Sequence, residues 1–200
     1  MKFSADKIKA AVESKGHKWF TGGNYNINIV GVRNSDTNGE VTNKFDDLVT
    51  LTYEVEGDLK YHEYKATTDP GSHWEKNLLN EDGVAILCPG QYRGSHTIGL
   101  HQGKYEALKQ QKPVKVYRDN NKDGKYDMIE ENIREGIFGI NIHKAGSRVE
   151  GSTQIDKWSA GCQVLSKESD FNELMEIAHK SAALYGKSFT YTLIESKDIV

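Results

Sequence analysis

Apolar and polar residues alternate along much of this chain in short runs bounded by Gly, Asn or Asp. That period predicts strands over INIVGVRN (27–34), LVTLTYEV (48–55), YHEYKATT (61–68), VAILCPG (84–90), VKVYR (114–118), FGINIH (138–143) and SFTYTLIE (188–195). Helical spacing is rarer. Ser4 can cap a helix to about Ser14, with Ile8, Ala11 and Val12 on one face and Gly16 as its stop. KYEALKQQ (104–111) reads as a short helix. Phe171, Leu174, Met175, Ala178 and Ala182 recur at helical intervals, with Asp170 and Glu173 as a cap pair. The expected fold is a mixed, β-rich α+β arrangement. Its mixed or antiparallel sheet packs on itself, with two or three peripheral helices and no βαβ rhythm.

Composition narrows this picture. Two hundred residues, 36% hydrophobic, suit one domain over 1–200, with residues 1–22 as an N-terminal helix and extension. The 26 basic and 29 acidic residues leave a net charge of −3 and form no block of one sign. Neither a nucleic-acid footprint nor an anionic-membrane surface is expected. Mean hydropathy is −0.67, and no apolar run approaches the ~18 residues of a membrane span. The start, MKFSADKIKAAVESKG, lacks the apolar centre of a secretory signal. The protein is expected to stay in the cell, to leave by a leaderless route, or to have been made without its leader. The pattern defines no oligomeric state.

Chemistry concentrates at DKWSAGCQVL (156–165). Two cysteines, Cys88 and Cys162, are too few for a disulfide scaffold, and a bridge would consume the second thiol. Cys88 lies in an apolar run and reads as core. Cys162 is either a small buried residue or a nucleophile, and a nucleophilic thiol needs a base nearby. His143 ends FGINIH, and the chain returns through a Gly/Ser loop to Ser159-Ala160-Gly161-Cys162, so imidazole and thiol can meet on one sheet face. Gly161 permits close backbone approach, and its N–H with that of Cys162 can hold an oxyanion.

The order His143, fifteen residues, then Ser159-x-Gly161-Cys162 before a helix resembles the active-site signature of the L,D-transpeptidases. YKATTDPGSHW (64–74) is loosely similar to that family's Thr-Pro-x-Gly segment. The similarity spans roughly residues 60–195, and the chain also looks like a compact phage or prophage version. The resemblance implies a β-sandwich-like catalytic domain, about 23–200, acting on peptidoglycan stem peptides with no catalytic cofactor. Cys162 would form a thioester at the diamino acid preceding a terminal D-residue, with His143 as base and a backbone carbonyl near Lys144 orienting its ring. Such an enzyme would act at the cell wall, reached by leaderless export, lysis or virion delivery; otherwise a cytoplasmic location is expected.

Two departures bear on substrate choice. The family often has His or Lys where this chain has Ala160, and Arg or Asn where it has Val164, after Gln163. An inactive descendant, a calcium-stabilised module that grips cell wall or serves a phage particle without cutting, and a cysteine amidase therefore stay open. Substrate contacts are assigned to His101, Tyr92 and Arg93. His96 and His101 lie five apart, not a usual zinc spacing.

DNNKDGKYDMIE (119–130) fits the EF-hand loop template. Asp119, Asn121 and Asp123 take the first three ligand positions. Gly124 makes the turn, Lys125 offers its carbonyl, Asp127 follows, and Glu130 supplies the last carboxylate. The flanks suggest a solitary strand–loop–helix Ca²⁺ site with a structural role, against the alternative of a solvated Asp/Asn turn. Ordering that loop is expected to fix the strand carrying His143.

Overall fold

A computed structural model describes residues 1–200. Its strands are β1 (Asn28–Arg33), β2 (Asp47–Val55), β3 (Asp58–Thr67), β4 (Val84–Leu87), β5 (Gly90–His101), β6 (Tyr105–Gln110), β7 (Val114–Asp119), β8 (Ile133–Gly136), β9 (Ile142–Lys144), β10 (Gln163–Leu165) and β11 (Phe189–Glu195). The helices are α1 (Ala5–Ser14), α2 (Ser72–Lys76) and α3 (Glu168–Tyr185). The β-rich expectation holds, but the sheet does not stack into a sandwich. Eight strands close a barrel in the order β1-β11-β5-β6-β9-β10-β3-β2, while β4-β7-β8 form a separate sheet. Closure removes the open edges that a sandwich would leave to be covered. No helix is long and apolar enough to cross a membrane.

The main core joins Ile29, Val49, Leu51, Leu108, Ile142, Leu165 and Leu193 to one face of α3, where Phe171, Leu174, Met175 and Ala178 are buried. Each large apolar side chain so removed from water contributes about 1.5–3 kcal/mol. A second cluster seats α1, through Ile8, Ala11 and Val12, on Trp19, Val30, Val32, Leu48 and Ile194. Ser4 caps α1 by accepting from the Lys7 N–H. Arg33 is buried and pairs with Asp69 at 2.8 Å, while donating to the carbonyls of Leu87 and Thr68. Asp47 accepts from the Thr68 N–H and hydroxyl. Together these bonds fix the segment entering α2.

Four local expectations are corrected. Residues 104–111 are not helical: β6 pairs antiparallel with β5 from His101↔Tyr105 to His96↔Gln110. Gln102 and Gly103, both at positive φ, turn the chain tightly between the two strands, and this pairing overrides the helix-forming composition. Asp170 and Glu173 do not cap α3, which begins at Glu168 after Lys167 with no side-chain cap. Glu173 instead accepts from Tyr64 Oη at 3.0 Å and meets His62 Nδ1 at 3.2 Å. FGINIH is only partly strand. Gln110 Oε1 accepts from the Phe138 and Ile140 N–H groups, the ladder breaks, and Gly139 turns outward at φ 74°. Finally, the Asp-rich loop is followed by a three-residue 3-10 helix, Glu130–Asn132, and then by β8, which pairs with β7. The loop thus lies between two strands.

Candidate active site and cation loop

The pairing of β9 with β10 carries the site. These strands run parallel, with Gln163 opposite Ile142, Val164 opposite His143 and Leu165 opposite Lys144. Side chains alternate along a strand, so His143 and Val164 share one face; Cys162 stands just before β10 and packs with Val164 in one small cluster. The Gln163 N–H donates to the Asn141 carbonyl at 2.9 Å and extends the ladder toward the cysteine. Cys162 is partly exposed and packs against a small cluster of Phe45, Ala145, Ile155 and Val164. Its thiol donates to the Gly139 carbonyl at 3.2 Å, a group made available by the break in FGINIH. The thiol and the His143 imidazole are not hydrogen-bonded to each other.

His143 is buried, and its Nδ1 lies 2.8 Å from the Lys144 carbonyl. A carbonyl only accepts, so Nδ1 carries the proton and Nε2 keeps its lone pair. Burial, then the charge of His101, hold His143 down at about 4, so the ring is a neutral base at ordinary pH. His101 stacks on it with centroids 4.1 Å apart and a tilt of 23°, and is itself lowered, by burial and then by Lys104 and Lys109. Burial pushes the Cys162 thiol up to about 11, against a hydrogen bond with the Asn141 backbone that works the other way. The resting pair is a neutral thiol and a neutral imidazole.

Ser159 and Gly161 shape the turn. Ser159 is fully buried; its hydroxyl donates to the Cys162 carbonyl at 2.8 Å and accepts from the Gly161 N–H at 3.1 Å. Gly161 sits at φ +134°, and a Cβ there would stand 2.3 Å from the Ala85 carbonyl. Of the two amides expected to hold an oxyanion, Gly161's is therefore engaged by Ser159, and only that of Cys162 lacks a protein partner.

His101 joins the site, whereas Tyr92 and Arg93 do not. Tyr92 Oη donates to the carbonyls of Cys88 and Lys115. Arg93 lies over the Phe20 ring, beside a cavity of about 350 Å³ that also touches Lys112 and Tyr185. His96 is buried elsewhere, between Ser95 Oγ and the Ile140 carbonyl, each at 2.8 Å. Two residues escaped the sequence reading. Tyr105 Oη stands 3.4 Å from both His143 Nδ1 and the Lys144 carbonyl. Burial first, then a charge on Cys162, raise its phenol to about 12. Asn141 bonds His101 Nδ1 through its amide nitrogen and the Gln110 N–H through its oxygen. Asn141 stands two residues before His143 and was legible by alternation; Tyr105 was hidden by the helical reading of β6. Next to the turn, Trp74, Leu79, Val84, Phe138, Arg118 and Ala160 line a cavity of about 260 Å³.

In the Asp-rich loop, the side-chain oxygens of Asp119, Asn121 and Asp123 each accept from the N–H two residues on. Asn121 Nδ2 reaches Asp127 Oδ2 at 2.9 Å. Asp119 is buried, and its carboxyl is raised first by burial, with the charges of Asp127 and Asp123 adding to the effect. Lys125 is exposed, as is Glu130 on the short 3-10 helix. The loop's hard oxygen donors, with Gly124 turning at φ 83°, fit Ca²⁺ by donor chemistry, although no three of its carboxylates are gathered around one point.

Comparison with protein-family models, with curated proteins and with solved structures returned no match.

Proposed function

We propose that this chain is a cysteine acyl-transfer enzyme of the L,D-transpeptidase type, acting on peptidoglycan stem peptides. The observation that carries this reading is the parallel β9–β10 register, which brings Cys162, at the entry to β10, beside the strand of His143, whose Nδ1 is tied to the Lys144 carbonyl. In the reaction, His143 Nε2 takes the thiol proton and the sulfur attacks the carbonyl of the diamino acid preceding a terminal D-residue. The tetrahedral oxyanion faces the free Cys162 N–H. The leaving amine takes the proton from His143, and the thioester passes to a second amine or to water. The cavity beside Ala160, apolar with Arg118 at its wall, suits a peptide ending in a carboxylate. Ca²⁺ in the 119–130 loop serves the fold.

Incubating the protein with purified tetrapeptide muropeptides, and reading the products by mass spectrometry, tests this. Loss or exchange of the terminal D-residue is expected, and Cys162→Ala should abolish it. A second reading, a non-catalytic wall-binding module, draws on the thiol's turn toward Gly139 rather than toward His143. Muropeptide binding that survives Cys162→Ala, with no product from either protein, would favour it.

A further inference from the structure

Glu75, on α2, is 3% exposed, yet only one of its oxygens is used within the protein. Oε1 accepts from the N–H of Gly124, at the turn of the 119–130 loop, at 3.1 Å, and Oε2 has no hydrogen-bond partner. A buried carboxylate oxygen without a partner carries a large desolvation cost, and a cation is one of the few groups that offsets it. In the same loop Asp119, Asn121 and Asp123 each turn an oxygen to the N–H two residues on, and Asp127 accepts from the Asn121 amide. We infer that Glu75 is a calcium ligand supplied from outside the loop, and that the bound ion locks α2 in place and, through α2, the nucleophile turn. This rests on the calcium reading of the loop.

The route is short. At the start of α2, the Gly71 N–H donates to the Ser159 carbonyl at 2.8 Å, and Trp74 Nε1 donates to the Lys157 carbonyl at 3.1 Å. The approach is close: a Cβ on Gly71 would stand 2.1 Å from the Asp156 carbonyl oxygen. Ser159 in turn holds the Gly161 N–H and the Cys162 carbonyl. One short helix thus touches the cation loop through Glu75 and the catalytic turn through Gly71 and Trp74. This connection is more direct than the chain path from Glu130 to His143.

Terbium luminescence, sensitised by Trp74 and Tyr126 and displaced by Ca²⁺, measures binding on the full chain. Glu75→Gln should weaken it by about tenfold or more, since affinity follows ligand charge. Ca²⁺ should also change the rate at which iodoacetamide labels Cys162 in the parent and leave it unchanged in Glu75→Gln. No terbium binding to the parent would remove the calcium reading itself. Equal binding by parent and Glu75→Gln would overturn this inference alone. Hydrogen exchange on the parent needs no variant: Ca²⁺ should protect amides of 72–76 as well as 119–130, and protection confined to the loop would overturn the coupling.

Discussion

The imidazoles of His101 and His143 stack face to face, with centroids 4.1 Å apart. Burial first, then the charge of His101, disfavours a proton on His143, while His101 is itself lowered by burial and then by Lys104 and Lys109. The pair therefore favours a neutral His143 that is ready to accept a proton. His101→Phe keeps a flat ring in the stack but removes the second titrating group. Its His143 should titrate above the parent's value of about 4 when followed by NMR. An unchanged His143 titration would mean that burial alone sets the value.

The thiol leads to a second expectation. With Cys162 held up at about 11, its thiolate fraction rises about tenfold per pH unit through the neutral range and beyond. Iodoacetamide labelling at Cys162 should climb steadily from pH 7 to pH 10, as measured by peptide mass spectrometry. A plateau already reached below pH 7 would indicate a resting thiolate–imidazolium pair, which the thiol's bond to Gly139 argues against. Because Cys88 is also raised to about 11, by burial, the two thiols must be resolved as separate peptides.

Much of this site follows from local pattern. β-branched and aromatic runs bounded by turn residues mark β2, β3 and β11, although burial along β2 and β11 is largely continuous. The Ser-x-Gly–Cys turn leads directly into β10, which pairs with the strand of His143. Legibility failed where distant pairing overrides local preference. Tyr105–Gln110 is composed mainly of good helix formers, yet both of its neighbours in the barrel claim it as a strand. Losing β6 also hid Tyr105 beside His143. Gln110 interrupts FGINIH from 28 and 30 residues away, and Glu75 meets Gly124 across 49. Such separations leave no periodic trace.

Acid should unfold the protein in a particular window. His96 and His143 are both lowered by burial to about 4, whereas in the unfolded chain they titrate near 6.5. Above pH 6.5 they are neutral in both states and cost nothing. As pH falls from 6.5 toward 4 the unfolded chain takes up protons that these two native rings refuse, which lowers stability. Asp47, raised first by burial to about 7, gains its proton in the native state and offsets part of the loss. The full effect is about 3 kcal/mol for each histidine. Urea midpoints between pH 7 and 4 should show this loss, and His96→Gln should reduce its slope. The parent's slope retained in His96→Gln would mean that this ring gains its proton without unfolding the protein.

Gly161 tests the turn itself. At φ +134° with the Ala85 carbonyl 2.3 Å from a would-be Cβ, alanine meets both backbone strain and a collision with main chain. Gly161→Ala should cost about 3 kcal/mol in stability and displace Cys162 from the Gly139 carbonyl. Under the proposed acyl-transfer reading, kcat should then fall further than KM rises, since a misplaced nucleophile loses rate before it loses binding. Full activity in a stable Gly161→Ala protein would show that the nucleophile does not depend on this turn.

Calcium should register as heat resistance. A ligand that binds only the folded state at a hundredfold its Kd adds about 2.7 kcal/mol, which for a domain of this size raises Tm by about 5–10 °C. Glu130 is exposed on the short 3-10 helix, so Glu130→Gln should leave the chelator-treated melt as it is and remove most of the calcium-dependent rise. Asp119 differs: it is buried and accepts from the N–H groups of Asn121 and Asp127, so Asp119→Asn should lower Tm even in chelator. The two variants together separate an ion held by the loop from a loop that holds itself. Superimposable parent melts in calcium and in chelator would assign the loop to the second kind.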